Sequence, residues 1–110
     1  MALFHRATIT PTKEDIIAAT LGAPIESIGA FRFDDPDGRV GMETFLVRTT
    51  SDGVLHQVGL TYRDEPLEDA ADGALLSEMD HSALGRRWVY DGLQDPRYVV
   101  MLAAVTMTGQ

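Results

Sequence analysis

Between Ile25 and Glu65 the chain is cut into three runs of strand character by two short breaks, Asp35-Pro36-Asp37-Gly38 and Ser51-Asp52-Gly53. Glycine supplies the positive φ of a tight turn, and Asp or Ser caps it, so each break reverses the chain. The runs 25–34, 40–50 and 54–65 are therefore expected to form an antiparallel meander. The third run alternates most clearly: Val54, His56, Val58, Leu60 and Tyr62 fall on one side, Leu55, Gln57, Gly59, Thr61 and Arg63 on the other. The first set is expected to face a core. Phe45 and Val47 oppose Met42 and Leu46 in the second run, which makes that strand apolar on both sides and places it centrally.

A meander needs something to cover it. Thr10-Pro11 reads as a helix start, with threonine as cap and proline at the first helical position, and Glu14 and Asp15 suit the positive end of the helix dipole. Ile16, Ile17 and Leu21 give the buried stripe, and Gly22 and Pro24 end the helix, which is predicted over 11–21. Ahead of it, 3–9 reads as a short or edge strand. Segment 64–80 carries seven carboxylates and no basic residue, and is expected to be a solvated loop with a helical turn around 74–79. The next strand is predicted over 86–93. Trp88 and Tyr90 share one of its faces, with Trp88 expected to pack on Val58 or Leu60. Asp95-Pro96 opens a second helix that Gly109 ends. Tyr98, Met101, Leu102 and Val105 form one stripe of it, and Val99, Val100, Ala103 and Met107 form another, nearly opposite. The larger side chains of the first stripe should pack on the sheet. The second would then be exposed, as a candidate partner interface. The predicted fold class is α+β in a single domain, 1–110.

Several functions are disfavoured. A net charge of −8 repels phosphate backbones and anionic lipid, so neither nucleic acid nor membrane is an expected partner. With no cysteine there is neither a disulfide framework nor a thiolate metal site, and the absence of a signal-type apolar core makes the cytoplasm the expected location. His5, His56 and His81 lack metal-ligand spacing, the calcium-loop pattern is missing around Asp69, Asp72 and Asp80, and no glycine-rich phosphate loop is present. No metal and no cofactor are expected. Ser82 beside His81 lacks a nucleophile elbow, and His56 reads as a hydrogen-bonded core histidine rather than a base. Arg86 and Arg87 are better explained as a rim offsetting the acidic segment than as an anion grip.

Several phrases together resemble the maltokinase N-terminal cap domain. They are Thr10-Pro11-Thr12-Lys13, Phe31-Arg32-Phe33-Asp34-Asp35-Pro36 leading into Val40-Gly41-Met42-Glu43-Thr44, Leu60-Thr61-Tyr62-Arg63, and Asp95-Pro96 with a closing Thr108-Gly109. The longest is His81-Ser82-Ala83-Leu84-Gly85-Arg86-Arg87-Trp88-Val89-Tyr90-Asp91. The resemblance implies a cystatin-like arrangement, a curved antiparallel sheet packed on a helix. In the kinases such a cap precedes a phosphotransferase core, whereas this sequence stops at Gln110, so it reads as a freestanding cap-like protein carrying none of the kinase's catalytic residues. The implied role is a non-catalytic interaction or regulatory module near maltose, trehalose and glycogen-type glucan metabolism. Its expected partner is a sugar kinase, another enzyme of that metabolism, or a second copy. The alternative is a small-molecule binder or minor enzyme with a pocket between sheet and helix lined by His56, Tyr62, Trp88 and Tyr90.

Overall fold

The computed structural model describes residues 9–33 and 35–108, with side chains described as far as residue 103. It is an α+β fold in which a six-stranded antiparallel sheet curls into a half-barrel with two helices. In chain order the elements are β1 (Ile9–Thr10), α1 (Lys13–Leu21), β2 (Ile25–Phe33), β3 (Gly41–Thr49), β4 (Leu55–Arg63), β5 (Leu75–His81), β6 (Gly85–Asp91), a 3₁₀ turn (Gly92–Gln94) and α2 (Pro96–Thr108). The expected meander is present as β2-β3-β4. Strand β6 then pairs with β4, and β5 lies outside β6, so the spatial order is β1-β5-β6-β4-β3-β2. Gly38 and Gly53 hold φ of 69° and 73° in the two predicted turns, a region that favours glycine.

The sheet curls because α1 is short. Nine residues span about 13 Å, yet Ile16 and Ile17 share one cluster with Phe45 and Val47 of β3, Leu60 and Tyr62 of β4, Met79 of β5 and Val89 of β6. Strands 4.8 Å apart reach one short helix only by bending around it. Ile17, Val47, Leu60 and Val89 are completely buried there. Thr12, rather than Thr10, caps α1, its Oγ1 accepting from the Asp15 N–H at 3.1 Å. Thr10 belongs to β1 instead, paired with Asp80, and its peptide bond to Pro11 is cis. Of the strand predicted over 3–9, only Ile9 lies within the described residues.

Two expectations are corrected. The segment read as a helical turn around 74–79 is strand β5, bonded to β6 on one side and to β1 on the other. A bulge between Leu75 and Ser77 lets Leu76 and Met79, three residues apart, both reach the α1 cluster. That spacing mimics helical periodicity. Trp88 does not pack on Val58 or Leu60. The register sets it opposite Arg63 on one side and Glu78 on the other, with Tyr90 opposite Thr61. Both rings therefore lie on the sheet face away from α1, and Trp88 is half-buried.

That second face belongs to α2. Tyr98 is 2% exposed in a cluster with Phe33 and Met42, against which Val40, Met101 and Leu102 pack. Its ring lies over two glycines: a Cβ on Gly59 would come 2.5 Å from Tyr98 Oη, and one on Gly92 would come 2.9 Å from the ring. Gly59→Ala should therefore destabilise the protein by about 1–3 kcal/mol through overpacking. Gly29→Ala, where nothing lies within 4 Å of the added carbon, should lose none. Urea unfolding midpoints of the two variants check the contrast.

Candidate functional site

Helix α2 offers the most distinctive surface, and it is held in place from below. Asp95 precedes its first residue and is completely buried. Its carboxylate accepts from Arg63 Nε and an Arg63 terminal nitrogen, both at 2.8 Å, from Thr61 Oγ1 at 2.6 Å and from the Arg97 N–H at 3.0 Å. Desolvation raises the affinity of this carboxyl for a proton. The bonds from Arg63, Thr61 and the Arg97 backbone outweigh it and hold the group below the ordinary carboxylate range. A second clamp runs from Arg97, whose guanidinium donates to Asp35 Oδ1 (Nε at 3.0 Å) and to Asp37 Oδ2 at 3.2 Å. Asp35 also accepts the backbone N–H groups of Asp37, Arg39 and Val40. Tyr98 closes the set, its hydroxyl 2.6 Å from Thr44 Oγ1. The alternation of 54–63 placed Arg63 on the correct face but gave no sign that its partner was Asp95, because that pairing spans two separate elements.

With Tyr98, Met101 and Leu102 turned toward the sheet, the described residues on the opposite side of α2 are exposed. Val99 and Val100 are 44% and 59% exposed, and Ala103 is exposed as well. The side chain of Met107 lies outside the described residues. On the sheet face that α2 covers, Phe31 is 52% and Leu46 40% exposed. The Phe31 and Phe33 ring centroids are 5.5 Å apart, as are those of Phe33 and Tyr98, so a ladder of rings runs from the buried helix contact to the surface.

The four residues of the alternative pocket are not brought together. Tyr62 lies in the α1 cluster, and His56 follows the same alternation on β4, while Trp88 and Tyr90 lie on the face toward α2. A sheet one residue thick separates the pairs. Tyr90 is committed elsewhere, its hydroxyl accepting from the Leu67 N–H at 2.8 Å. His56 Nε2 stands 3.3 Å from Thr49 Oγ1, and that hydroxyl donates to Asp52, which caps the β3-β4 turn. The contact is turn architecture. Arg86 pairs with Glu78 at 2.9 Å and Asp80 at 3.3 Å, as a rim residue should.

A curled antiparallel sheet closed around one helix, with a second helix pinned to its outer face, defines an α+β module of the cap type. The family model of the maltokinase N-terminal cap domain matches residues 18–95, and the chain belongs to that family. The match covers β2 to β6 and ends at Asp95, so β1 lies before it and α2 beyond it. Comparison with curated proteins and with solved structures finds no match. No helix among the described residues is long and apolar enough to cross a membrane.

Removing one member of the buried pair strands the other charge. Asp95→Ala should cost about 3–5 kcal/mol. The pH dependence has a fixed sign: because the folded-state pKa is depressed, this contribution is complete above the unfolded value of about 4 and is lost as pH falls through the folded one. Acid titration of Asp95→Asn followed by circular dichroism should show a shallower low-pH loss of stability than the parent.

Proposed function

We propose that this chain is a non-catalytic interaction module that docks through the outward stripe of α2, formed by Val99, Val100 and Ala103 and extended to Met107 by the helical spacing of the sequence. The observation that carries the reading is the exposure of Val99 and Val100 on a helix already immobilised by Asp95, Arg97 and Tyr98. A rigid apolar surface loses little conformational entropy on binding, and contiguous apolar surface on a small domain commonly marks an interface. Phe31 and Leu46 extend the apolar area on the same side of the sheet. Family membership supports a partner of maltokinase type, a phosphotransferase lobe or another enzyme of maltose, trehalose and glycogen-type glucan metabolism, met in the cytoplasm. Self-association through the same stripe is the other form the docking takes.

The double variant Val100→Lys with Met107→Lys tests this. It should keep the parent's circular dichroism spectrum and lose either the parent's oligomeric state in light scattering or its binding to a maltokinase lobe prepared without its own cap. A loss of about tenfold or more in affinity is expected from placing two charges in an apolar contact. A folded variant with unchanged assembly and unchanged binding removes α2 from the interface.

A further inference from the structure

The charge of this protein is unevenly placed. Although acids outnumber Lys and Arg by 17 to 9, Lys13, Arg32, Arg39 and Arg87 all line one cavity of about 420 Å³ beside the start of α1. They come from four separate parts of the chain: the first turn of α1, β2, the β2-β3 connection and β6. Asp35 is the only carboxylate among the described lining residues, and it is occupied by Arg97 and three backbone N–H groups.

The cations differ in what already neutralises them. Lys13 donates to Glu43 Oε1 at 2.8 Å, and the Tyr62 hydroxyl donates to the same oxygen at 2.9 Å. Burial, reinforced by that carboxylate, keeps the Tyr62 phenol protonated. Arg39 is shared with the exposed Asp64 and Glu65 at 3.5 and 3.3 Å. Arg32 stands 3.6 Å from Glu43 Oε1, beyond hydrogen-bond distance of an oxygen that already accepts twice. Arg87 donates to the Leu84 carbonyl at 2.8 Å and, among the described residues, pairs with no carboxylate. His81 also lines the cavity. Its Nδ1 accepts from the N–H groups of Ala83 and Leu84, which leaves the ring proton on Nε2 as a donor.

We propose that this cavity binds a small phosphate-bearing anion, with Arg32 and Arg87 as its principal ligands and Lys13 and the His81 imidazole completing the donor set. Guanidinium groups match phosphate oxygens in paired hydrogen bonds. A tetrahedral group offers oxygens in several directions, which suits donors arriving from α1, β2 and β6, whereas a carboxylate offers two in one plane. The volume falls within the range of small-ligand sites, and Phe33, Val40 and Leu84 give it apolar wall for the organic part of a phosphate ester. The site is separate from the α2 stripe, so its failure and the failure of the docking reading are independent.

The test is an NMR titration of the full chain at low ionic strength with inorganic phosphate and with glycerol phosphate, against acetate and glycerol. Saturable shifts confined to residues around Gly41, His81 and Arg87 are expected with both phosphates. A tighter fit of the ester assigns the organic wall, and equal affinity assigns a site for free phosphate. Arg32→Gln and Arg87→Gln should each weaken binding about tenfold, the loss of one charge-assisted contact. Arg86→Gln, next in sequence but already paired with Glu78 and Asp80, should leave binding unchanged. Arg32 is exposed on an edge strand, so its variant preserves the fold and decides the outcome should Arg87→Gln unfold. Unsaturable or surface-wide shifts, acetate binding as tightly as phosphate, or an equal loss in Arg86→Gln would overturn the proposal.

Discussion

The position of α2 depends on one buried carboxylate. Asp95 closes the family-matched segment and starts the final helix, and it is tied to β4 through Arg63 and Thr61. A charge with no exposure is tolerable only when every acceptor position is used. Here the same carboxylate both neutralises Arg63 and caps the helix. Arg97, two residues on, then reaches the β2-β3 connection through Asp35, so the first turn of α2 is fixed both to β4 and to that connection. Tyr98 sets the distance, because its ring settles into space that exists only where β4 and the 3₁₀ turn lack side chains at Gly59 and Gly92.

The two faces of the sheet use different physics. Toward α1 the contact is a conventional apolar core centred on Ile17, Leu60 and Val89, beside which the Glu43 carboxylate is satisfied by Lys13 and Tyr62. Toward α2 the apolar contact among the described residues is smaller, and ion pairs and hydroxyl bonds supply the geometry. Electrostatic fixation of that kind orients a helix without enclosing it, which is why Val99 and Val100 stay in solvent while Tyr98 is buried.

Much of this fold was legible in the sequence wherever a local rule acted alone. The two turns, the alternation of β4, the apolar stripe of α1 and the Asp95-Pro96 helix start all follow from spacing. Reading failed where a local signal had two meanings. Leu76 and Met79, three apart, reach the same face because of a bulge, and a helical turn has the same spacing. Thr10 and Thr12 are both credible caps, and the pairing of Thr10 with Asp80 in β1 decides between them. The pocket of His56, Tyr62, Trp88 and Tyr90 required the relative parity of β4 and β6. Strand pairing sets that parity, with Tyr62 opposite Val89, and neither strand's own pattern reveals it. The gathering of Lys13, Arg32, Arg39 and Arg87 was hidden for the same reason, since the four are scattered along the chain and meet only once the sheet curls.

The edge of the sheet at β2 carries a further consequence. Nine residues of strand with one side unpaired among the described residues would ordinarily offer a template along which a second sheet adds. The register of β2 on β3 shifts between Ser27 and Gly29, so the strand is bent partway along and its outward amides and carbonyls no longer lie in one straight row. Only short stretches remain on either side of that bend for a foreign strand to follow. Sheet-to-sheet addition along this edge is thereby discouraged.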